Sequence, residues 1–406
     1  MGSHGLTPLH LCLLAVLGLF AVAESAQAQD WPRWRGPDGN GISTETQWNP
    51  SALAGQPKIL WKASVGTGFS SMAVRGNLLY TLGNENDTDT VYCLDAETGK
   101  KVWSYSYPCA LGSYPGPRST PFVDGESVYT LSQEGHLFSF NAGTGKVRWK
   151  KHLVNDFGAN PPMWNFAGSP VAAGNLLLLN AGKAGLALDK NTGAKVWSSG
   201  SGPGGYSTPV LAEYGGRSAM VIFGQRAVYG VDILNGAPLW SFDWQTDSDV
   251  NAADPVAFDG KVFVASAYDR GCAVYDVSSS RPAVVWRSGV FKTHFSSFVL
   301  IDGFIYGIDG DARQQSAGVL RCVEARTGKV AWSANLGFGS LISVGGRLIV
   351  LNGTGTIIVA DASASGYREL AKTSLPRYQY WTPPAFSRGR LFVRNLRGDL
   401  FSIDTR

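Results

Sequence analysis

The sequence has little charge and few of the residues that build metal or haem sites. Only 16% of its residues are charged, and its 35 Lys and Arg against 31 Asp and Glu form no basic block. This pattern argues against nucleic-acid binding. Only His136, His152 and His294 follow residue 28, and no cysteines are adjacent or form Cys-x-x-Cys-His. The sequence therefore predicts no attached c-type haem and no zinc site.

Long hydrophobic runs are also scarce. The run from Leu9 to Ala23 is too short to span a bilayer but has the length of a secretory h-region. Ala26-Gln27-Ala28 follows it and matches a small-x-small cleavage site. We predict a cleaved signal peptide over residues 1–28, a mature protein in the periplasm or outside the cell, and no transmembrane span.

The chain is rich in glycine, with 50 residues, and it repeats one phrase, Asp-x-x-Thr-Gly-Lys-x-x-Trp. Successive Trp residues lie 43 to 48 residues apart, a period typical of one repeated supersecondary unit. Each copy has short apolar runs around a glycine turn, which predicts a strand, a hairpin and a strand. The copies read Asp95 to Trp103, Asn141 to Trp149, Asp189 to Trp197, Asp232 to Trp240, Asp276 to Trp286 and Glu324 to Trp332.

A second turn, such as Asp124-Gly125 or Asp302-Gly303, occurs eight times between these copies. Four short strands per repeat are typical of a propeller blade, so we predict an all-β, eight-bladed β-propeller over residues 58–406. The seventh copy is degenerate, with Leu370 in place of Trp, and the eighth lacks its last strand. Ile59 to Lys62 supplies that strand from the N-terminal side, which leaves residues 29–57 as an N-terminal extension.

The repeated tryptophans have a structural interpretation. Each one ends an outer strand and can pack on the next blade, while the Asp and Thr of the phrase bond their own turn. The predicted blade tryptophans are Trp61, Trp103, Trp149, Trp197, Trp240, Trp286 and Trp332.

Four cysteines remain after cleavage of the signal peptide. Cys93 and Cys109 lie in or just after the outer strands of one predicted blade, so a disulfide between them is possible in an oxidising compartment. For Cys272 and Cys322, a role as small buried hydrophobes is an equal alternative.

The segment from Ala187 to Trp197 resembles the tryptophan-docking repeat of quinoprotein alcohol dehydrogenases and of BamB-like propellers, which belong to the outer-membrane protein assembly machinery. Asp30 to Pro37 is similar to the start of exported PQQ-like repeat proteins. The resemblance covers roughly Leu60 to Asp404. It implies an architecture rather than an activity, since fold alone does not determine function.

Catalysis with pyrroloquinoline quinone (PQQ) would, by that resemblance, require adjacent cysteines and a calcium ion held by Glu, Asn and Asp. The chain has no such cysteines. The oxygen-rich stretches Asn84 to Asp89 and Asp243 to Asp254 lack the spacing of a calcium loop and are interpreted as solvated loop carboxylates. We predict no cofactor, with PQQ and calcium as the alternative.

The loops that enter the innermost strands differ from blade to blade and should surround the mouth of the central channel. Variable loops on a rigid scaffold commonly carry function. The candidate ligand-binding residues on them are Arg118, Trp164, Asn165, Tyr206, Asn251, Asp254, Lys292, His294, Tyr380 and Trp381. A solvated rim with packed aromatics is the equal alternative.

These observations predict a monomeric envelope propeller that binds or scaffolds a protein, a peptide or a glycan at the channel mouth. A PQQ-dependent oxidoreductase is the first enzymatic alternative. A carbohydrate hydrolase or lyase acting through His294, Asp254 and Arg118 is the second.

Overall fold

Eight antiparallel sheets form the propeller in a computed structural model that describes residues 1–2, 29–200 and 202–406. The predicted signal peptide thus lies almost wholly outside the described residues. Two strands precede the first blade, β1 (Ile42–Ser43) and β2 (Ile59–Ser64). Across the described residues, none of the helices has the length and apolar character needed to cross a bilayer.

Each blade runs from a short innermost strand at the channel to an outer strand at the rim. Blades 1 to 4 contain β3 (Ala73–Arg75), β4 (Leu78–Glu85), β5 (Thr88–Asp95) and β6 (Lys101–Pro108); β7 (Phe122–Asp124), β8 (Ser127–Leu131), β9 (His136–Asn141) and β10 (Val147–His152); β11 (Val171–Ala173), β12 (Leu176–Leu179), β13 (Leu186–Asp189) and β14 (Lys195–Ser198); and β15 (Val210–Tyr214), β16 (Arg217–Phe223), β17 (Ala227–Asp232) and β18 (Pro238–Asp243).

The remaining blades repeat the pattern. Blades 5 to 8 contain β19 (Val256–Phe258), β20 (Lys261–Ser266), β21 (Gly271–Asp276) and β22 (Ala283–Ser288); β23 (Val299–Ile301), β24 (Phe304–Asp309), β25 (Val319–Glu324) and β26 (Val330–Asn335); β27 (Gly339–Val344), β28 (Arg347–Asn352), β29 (Thr356–Asp361) and β30 (Glu369–Ser374); and β31 (Ala385–Ser387), β32 (Arg390–Arg394) and β33 (Asp399–Asp404). One α-helix, α1 (Leu153–Phe157), and 3₁₀ turns at Pro50–Leu53 and Gln315–Ala317 complete the described elements.

The tryptophans join neighbouring blades as predicted. Trp103 donates its Nε1–H to the carbonyl of Ala142 at 2.8 Å, and its ring covers Gly145 in the turn of the next blade. That glycine has φ +71°, and a Cβ there would lie 2.6 Å from the indole. The repeated Thr-Gly turn therefore needs glycine both for its backbone conformation and for contact with the tryptophan.

Blades 4, 6 and 7 depart from this arrangement. In blade 6, Trp332 donates to the carbonyl of Ser363 at 2.7 Å but packs on Tyr367, and nothing lies within 4 Å of a Cβ built at Gly366. Trp240 faces a hairpin, residues 277–282, that contains no glycine, and it stacks instead on Phe242. In blade 7 the pairing register shifts at Leu370, so Ala371 occupies the position of the tryptophan. The same register shift precedes the tryptophan in the other seven blades, which makes Leu370 the bulge residue rather than the tryptophan equivalent. Leu53, from a 3₁₀ turn that packs on β30, lies in the same core cluster as Ala371.

The N-terminal strand closes the ring, as predicted. β2 pairs antiparallel with β33, with Trp61 opposite Ser402. Lys62 forms an ion pair with Asp399 at 2.9 Å. β33 thereby gains an outer neighbour, and blade 8 has four strands drawn from both ends of the propeller.

The segment from Trp31 to Glu45 lies in the central channel, which the sequence did not predict. It contacts innermost strands around the ring, since Trp31 pairs with Val74 of blade 1 and Ile42 pairs with Ser343 of blade 7. Glu45 accepts hydrogen bonds from the backbone of the Arg388-Gly389 turn in blade 8. The extension is therefore part of the core of the propeller.

The possible disulfide between Cys93 and Cys109 is wrong, because all four described cysteines are buried free thiols. Cys93 pairs with Trp103, whereas Cys109 follows the opposite end of β6, next to the Thr88–Pro108 pair. Five residues of strand separate the two positions, or roughly 17 Å at the usual strand rise. A disulfide requires Cα atoms within about 7 Å.

Removal of the Trp61 indole should strongly destabilise the ring. The side chain is 9% exposed and donates to the carbonyl of Ala96 at 3.0 Å. We expect Trp61→Ala to lower the free energy of unfolding by about 3–5 kcal/mol in urea titrations. Val102→Ala, at the exposed bulge of β6, is the control and should change stability by less than about 0.5 kcal/mol. A Trp61→Ala protein that melts within a degree of wild type would contradict this role for the closing strand.

Candidate functional site

The two sides of the disc differ in their loops. One side, the turn face, carries the Thr-Gly-Lys and Asp-Gly turns. The other, the loop face, carries the connections between blades and the turns between the second and third strands of each blade. On the loop face, over the channel, a cavity of about 230 Å³ opens among loops from several blades. Six of the ten predicted residues line it: Arg118, Trp164, Tyr206, Asp254, His294 and Trp381.

One wall of the cavity is aromatic. Trp381 stacks on Phe69 with ring centroids 5.8 Å apart and lies 5.3 Å from the ring of Phe295. These rings come from blades 8, 1 and 6, so only the closed ring brings them together. The Nε1–H of Trp381 is buried and has no hydrogen-bond partner among the described residues.

The adjoining wall carries Arg118, whose guanidinium has no carboxylate partner among the described residues. Arg118 donates Nη2–H to the carbonyl of Tyr114 at 3.0 Å and Nη1–H to the carbonyl of Trp164. The hydroxyl of Tyr206 accepts from the backbone N–H of Trp164 at 3.2 Å and holds the same loop. Burial lowers the pKa of Arg118, yet an arginine remains charged at neutral pH. This wall can therefore bind an anionic group.

His294 connects these walls. Its Nε2 lies 3.2 Å from the hydroxyl of Tyr268, and its Nδ1 lies 3.7 Å from Asp311. Burial lowers the pKa of His294 more strongly than Asp311 raises it. The imidazole is therefore neutral at neutral pH and offers a polar but uncharged edge to the cavity.

The floor of the cavity is the tip of the N-terminal segment. The indole Nε1–H of Trp34 donates to Asp254 Oδ2 at 2.6 Å, and Arg35 Nη1 lies 3.6 Å from the same oxygen. The other oxygen, Oδ1, accepts from the backbone N–H of Thr208 at 2.8 Å, and Ser297 donates to Oδ2 at 3.2 Å. Asp254 thus anchors the channel segment instead of facing the cavity as a free carboxylate.

Four predicted residues lie outside the cavity. Asn251 is fully buried and bonds the carbonyls of neighbouring loops, and Tyr380 is buried with its hydroxyl on the carbonyl of Pro376. Lys292 is exposed and pairs with Asp269 at 2.7 Å. Asn165 adopts φ +64° in a loop turn, a conformation that asparagine tolerates. The rule that residues before an inner strand face the mouth failed here because adjacent residues point in different directions.

Several cavity residues were missed. Phe69 and Phe295 precede inner strands and follow the same rule that selected His294, so the sequence contained a signal for them. Tyr268 and Arg313 lie in turns between second and third strands, where the repeat gives no indication of direction. Trp34 and Arg35 could not be identified, because nothing in the repeat predicts that the extension enters the channel.

A calcium site does not fit this cavity. Asp254 is the one carboxylate among the described residues that line it, and both of its oxygens are already bonded. Calcium takes six to eight oxygen ligands, several of them carboxylates. In the oxygen-rich stretches, Asp249 pairs with Arg226 at 2.7 Å and Asp89 is fully buried. The interpretation of these stretches as solvated carboxylates is therefore wrong for Asp89 and for Asp254, which are both buried.

Comparison with known proteins supports the same architecture. The family model described as outer membrane protein assembly factor BamB matches residues 51–149 and 111–317. The outer membrane protein assembly factor BamB of Yersinia pestis is 23% identical over 287 residues, which cover 63% of this chain and 67% of that protein. The crystal structure of BamB from Moraxella catarrhalis superposes with a TM-score of 0.61 at 16% identity and covers 85% of this chain and 98% of that one.

The chain is also similar to part of a redox enzyme. The quinoprotein ethanol dehydrogenase of Pseudomonas putida is 24% identical over 235 residues, which cover 47% of this chain but only 36% of the enzyme. The likeness therefore covers about a third of that enzyme.

The contact between Arg35 and Asp254 should behave as a coupled pair. Asp254→Asn leaves the buried guanidinium of Arg35 without a counter-charge, which typically costs about 3–5 kcal/mol. Adding Arg35→Met removes that unpaired charge and should restore part of the stability. Urea unfolding of the two single variants and the double variant measures the coupling. If the losses in unfolding free energy of the two single variants simply add in the double variant, the contact is contradicted.

Proposed function

The chain belongs to the family described as outer membrane protein assembly factor BamB, and from this premise we propose that it is an envelope scaffold that binds its partner at the cavity on the loop face. This proposal rests on one observation, a cavity at the centre of the variable loops. The cavity has aromatic walls and one arginine, Arg118, that has no carboxylate partner among the described residues. Export and a monomeric state belong to the same proposal.

The size of the cavity indicates that it holds one part of a larger ligand rather than a whole small molecule. Ligand pockets for whole small molecules usually measure about 300–1,000 Å³. A volume of about 230 Å³ suits one side chain or one ring, with the remainder of the ligand on the rim. Trp164 and Met163, which are exposed on that rim, extend the apolar surface outward.

The chemistry of the walls selects among a protein, a peptide and a glycan. Trp381, Phe69 and Phe295 offer flat apolar faces, and Arg118 offers a guanidinium to a carboxylate. An extended peptide segment that places an aromatic side chain in the cavity and an acidic group at Arg118 satisfies both.

Acid–base catalysis on a carbohydrate has weaker support. Asp254 is held by Trp34, Arg35 and Thr208, so it has no free oxygen to exchange a proton with a substrate. A general acid or base must reach the reacting proton directly or through one water molecule. The residues of the hydrolase alternative thus form part of a binding surface and its floor.

Substitutions in the cavity should remove binding and preserve the fold. We expect fluorescent peptides that pair an aromatic with an acidic residue to be enriched on an array probed with the wild-type protein. Trp381→Ala, His294→Ala and Arg118→Met should each abolish that binding, because they remove the aromatic wall, the polar edge and the cation, while melting temperatures stay close to wild type.

Leu234→Ala is the matched control for these variants, since Leu234 is highly exposed in a hairpin on the turn face. It should bind like wild type. Peptide binding that survives Trp381→Ala would contradict the site. Selective enrichment on a glycan array would retain the cavity and replace the peptide by a glycan.

The quinoprotein alternative makes a separate prediction. The cavity lacks free carboxylates for calcium and the chain lacks adjacent cysteines, so we expect no tight binding of PQQ. Isothermal titration calorimetry with PQQ and added calcium should return no sub-micromolar dissociation constant. A sub-micromolar value that Trp381→Ala abolishes would favour the oxidoreductase.

A further inference from the structure

A second cluster of chemically active side chains lies on the loop face between blades 1 and 2, outside the cavity. The ligand atoms of Cys109, Glu134 and His136 all lie within 4.8 Å of one another. Cys109 follows the last strand of blade 1, whereas Glu134 and His136 belong to blade 2, so the packing of these two blades brings the three residues together. Histidine spacing alone predicted no metal site, because it gives no information on contacts between blades.

The fold fixes both halves of this cluster. Cys109 follows the end of β6, and its backbone N–H donates to the carbonyl of Asp87 at 2.9 Å. Glu134 and His136 lie in and just after the turn from β8 to β9 of the next blade. Gln133, in the same turn, donates its side-chain amide to the carbonyl of Leu111 at 3.0 Å. The turn is thereby tied to the segment that follows Cys109.

The charged groups that act on the thiol of this cluster are both negative. Cys109 is buried, and the charges that act on it belong to Asp89 and Glu134, both negative. Asp89 is 0% exposed, and its Oδ2 has no hydrogen-bond partner among the described residues. Asn84 donates to the other oxygen, Oδ1, at 2.7 Å. Acidic groups gathered in a poorly solvated place are stabilised by a bound divalent cation.

His136 is suited to be a ligand. Its Nδ1 lies 3.2 Å from the hydroxyl of Ser132, which can accept a hydrogen bond from Nδ1–H and fix the ring when Nε2 is the ligand. The residue is half-buried, so its ring is held by its neighbours while one edge can still reach an ion.

We propose that Cys109, Glu134 and His136 bind one zinc ion that links blades 1 and 2. A thiolate, an imidazole and a carboxylate form a mixed ligand set that zinc accepts, and three protein ligands leave the fourth tetrahedral position to water. Binding displaces the thiol proton, and Asp89 stabilises the site from behind Cys109. Glu134 and His136 are partly exposed, which gives the ion a path of entry.

Cobalt(II) titration of the purified, reduced mature protein tests this site. Cobalt replaces zinc, and a thiolate ligand gives it a charge-transfer band in the near ultraviolet. We expect this band to saturate at one equivalent, to disappear on addition of zinc, and to be absent in Cys109→Ser. Glu134→Gln and His136→Gln should weaken cobalt binding by about tenfold or more.

The matched control is Cys272→Ser, which removes another buried free thiol in blade 5 and should retain the band. Circular dichroism and thermal melting confirm that each variant is folded. If Cys109→Ser is unfolded, Glu134→Gln and His136→Gln decide the outcome. A wild-type protein without the band, or folded variants that bind cobalt as wild type does, would overturn the proposal.

Discussion

The contact between a tryptophan of one blade and the glycine turn of the next is the interaction on which the propeller depends. Five of these contacts combine a hydrogen bond from the indole to a backbone carbonyl with an indole packed where a Cβ would clash. An isolated four-stranded sheet cannot bury both of its faces, so each blade is stable only against its neighbours. The departures at Trp240, Trp332 and Ala371 are compensated locally, by stacking on Phe242, by contact with Tyr367 and by packing of Leu53.

The N-terminal segment completes the ring of blades and fills its channel. β2 completes blade 8, and the residues before it lie in the channel, where Trp31, Arg35 and Glu45 bond to innermost strands or their flanking loops and turns. A channel left empty would expose the inner edges of eight sheets. The same segment approaches the loop-face cavity with Trp34 and Arg35, so the element that fills the ring also forms the floor of the candidate site.

The loop face could be located from the sequence, but its chemistry could not. Repetition identified the turn face as structural and the variable loops as candidates, and six of ten chosen residues meet at one cavity. The rule failed for Asn251 and Tyr380 because a loop residue can point toward the channel or into its own blade with the same spacing. It gave no indication that Asp254 would be sequestered by Trp34 and Arg35, or that Cys109 would meet Glu134 and His136 across a blade boundary.

The sequence by itself determined the repeat, the number of blades, the closing strand and the role of the tryptophans, because these depend on local turn geometry and on a fixed period. The tertiary structure alone decided which side chains share a cavity, where the N-terminal segment lies, and why Cys93 and Cys109 remain apart. The physical reason is that blade packing brings together residues distant in sequence, such as Phe69 and Trp381, and such contacts leave no periodic trace in the chain.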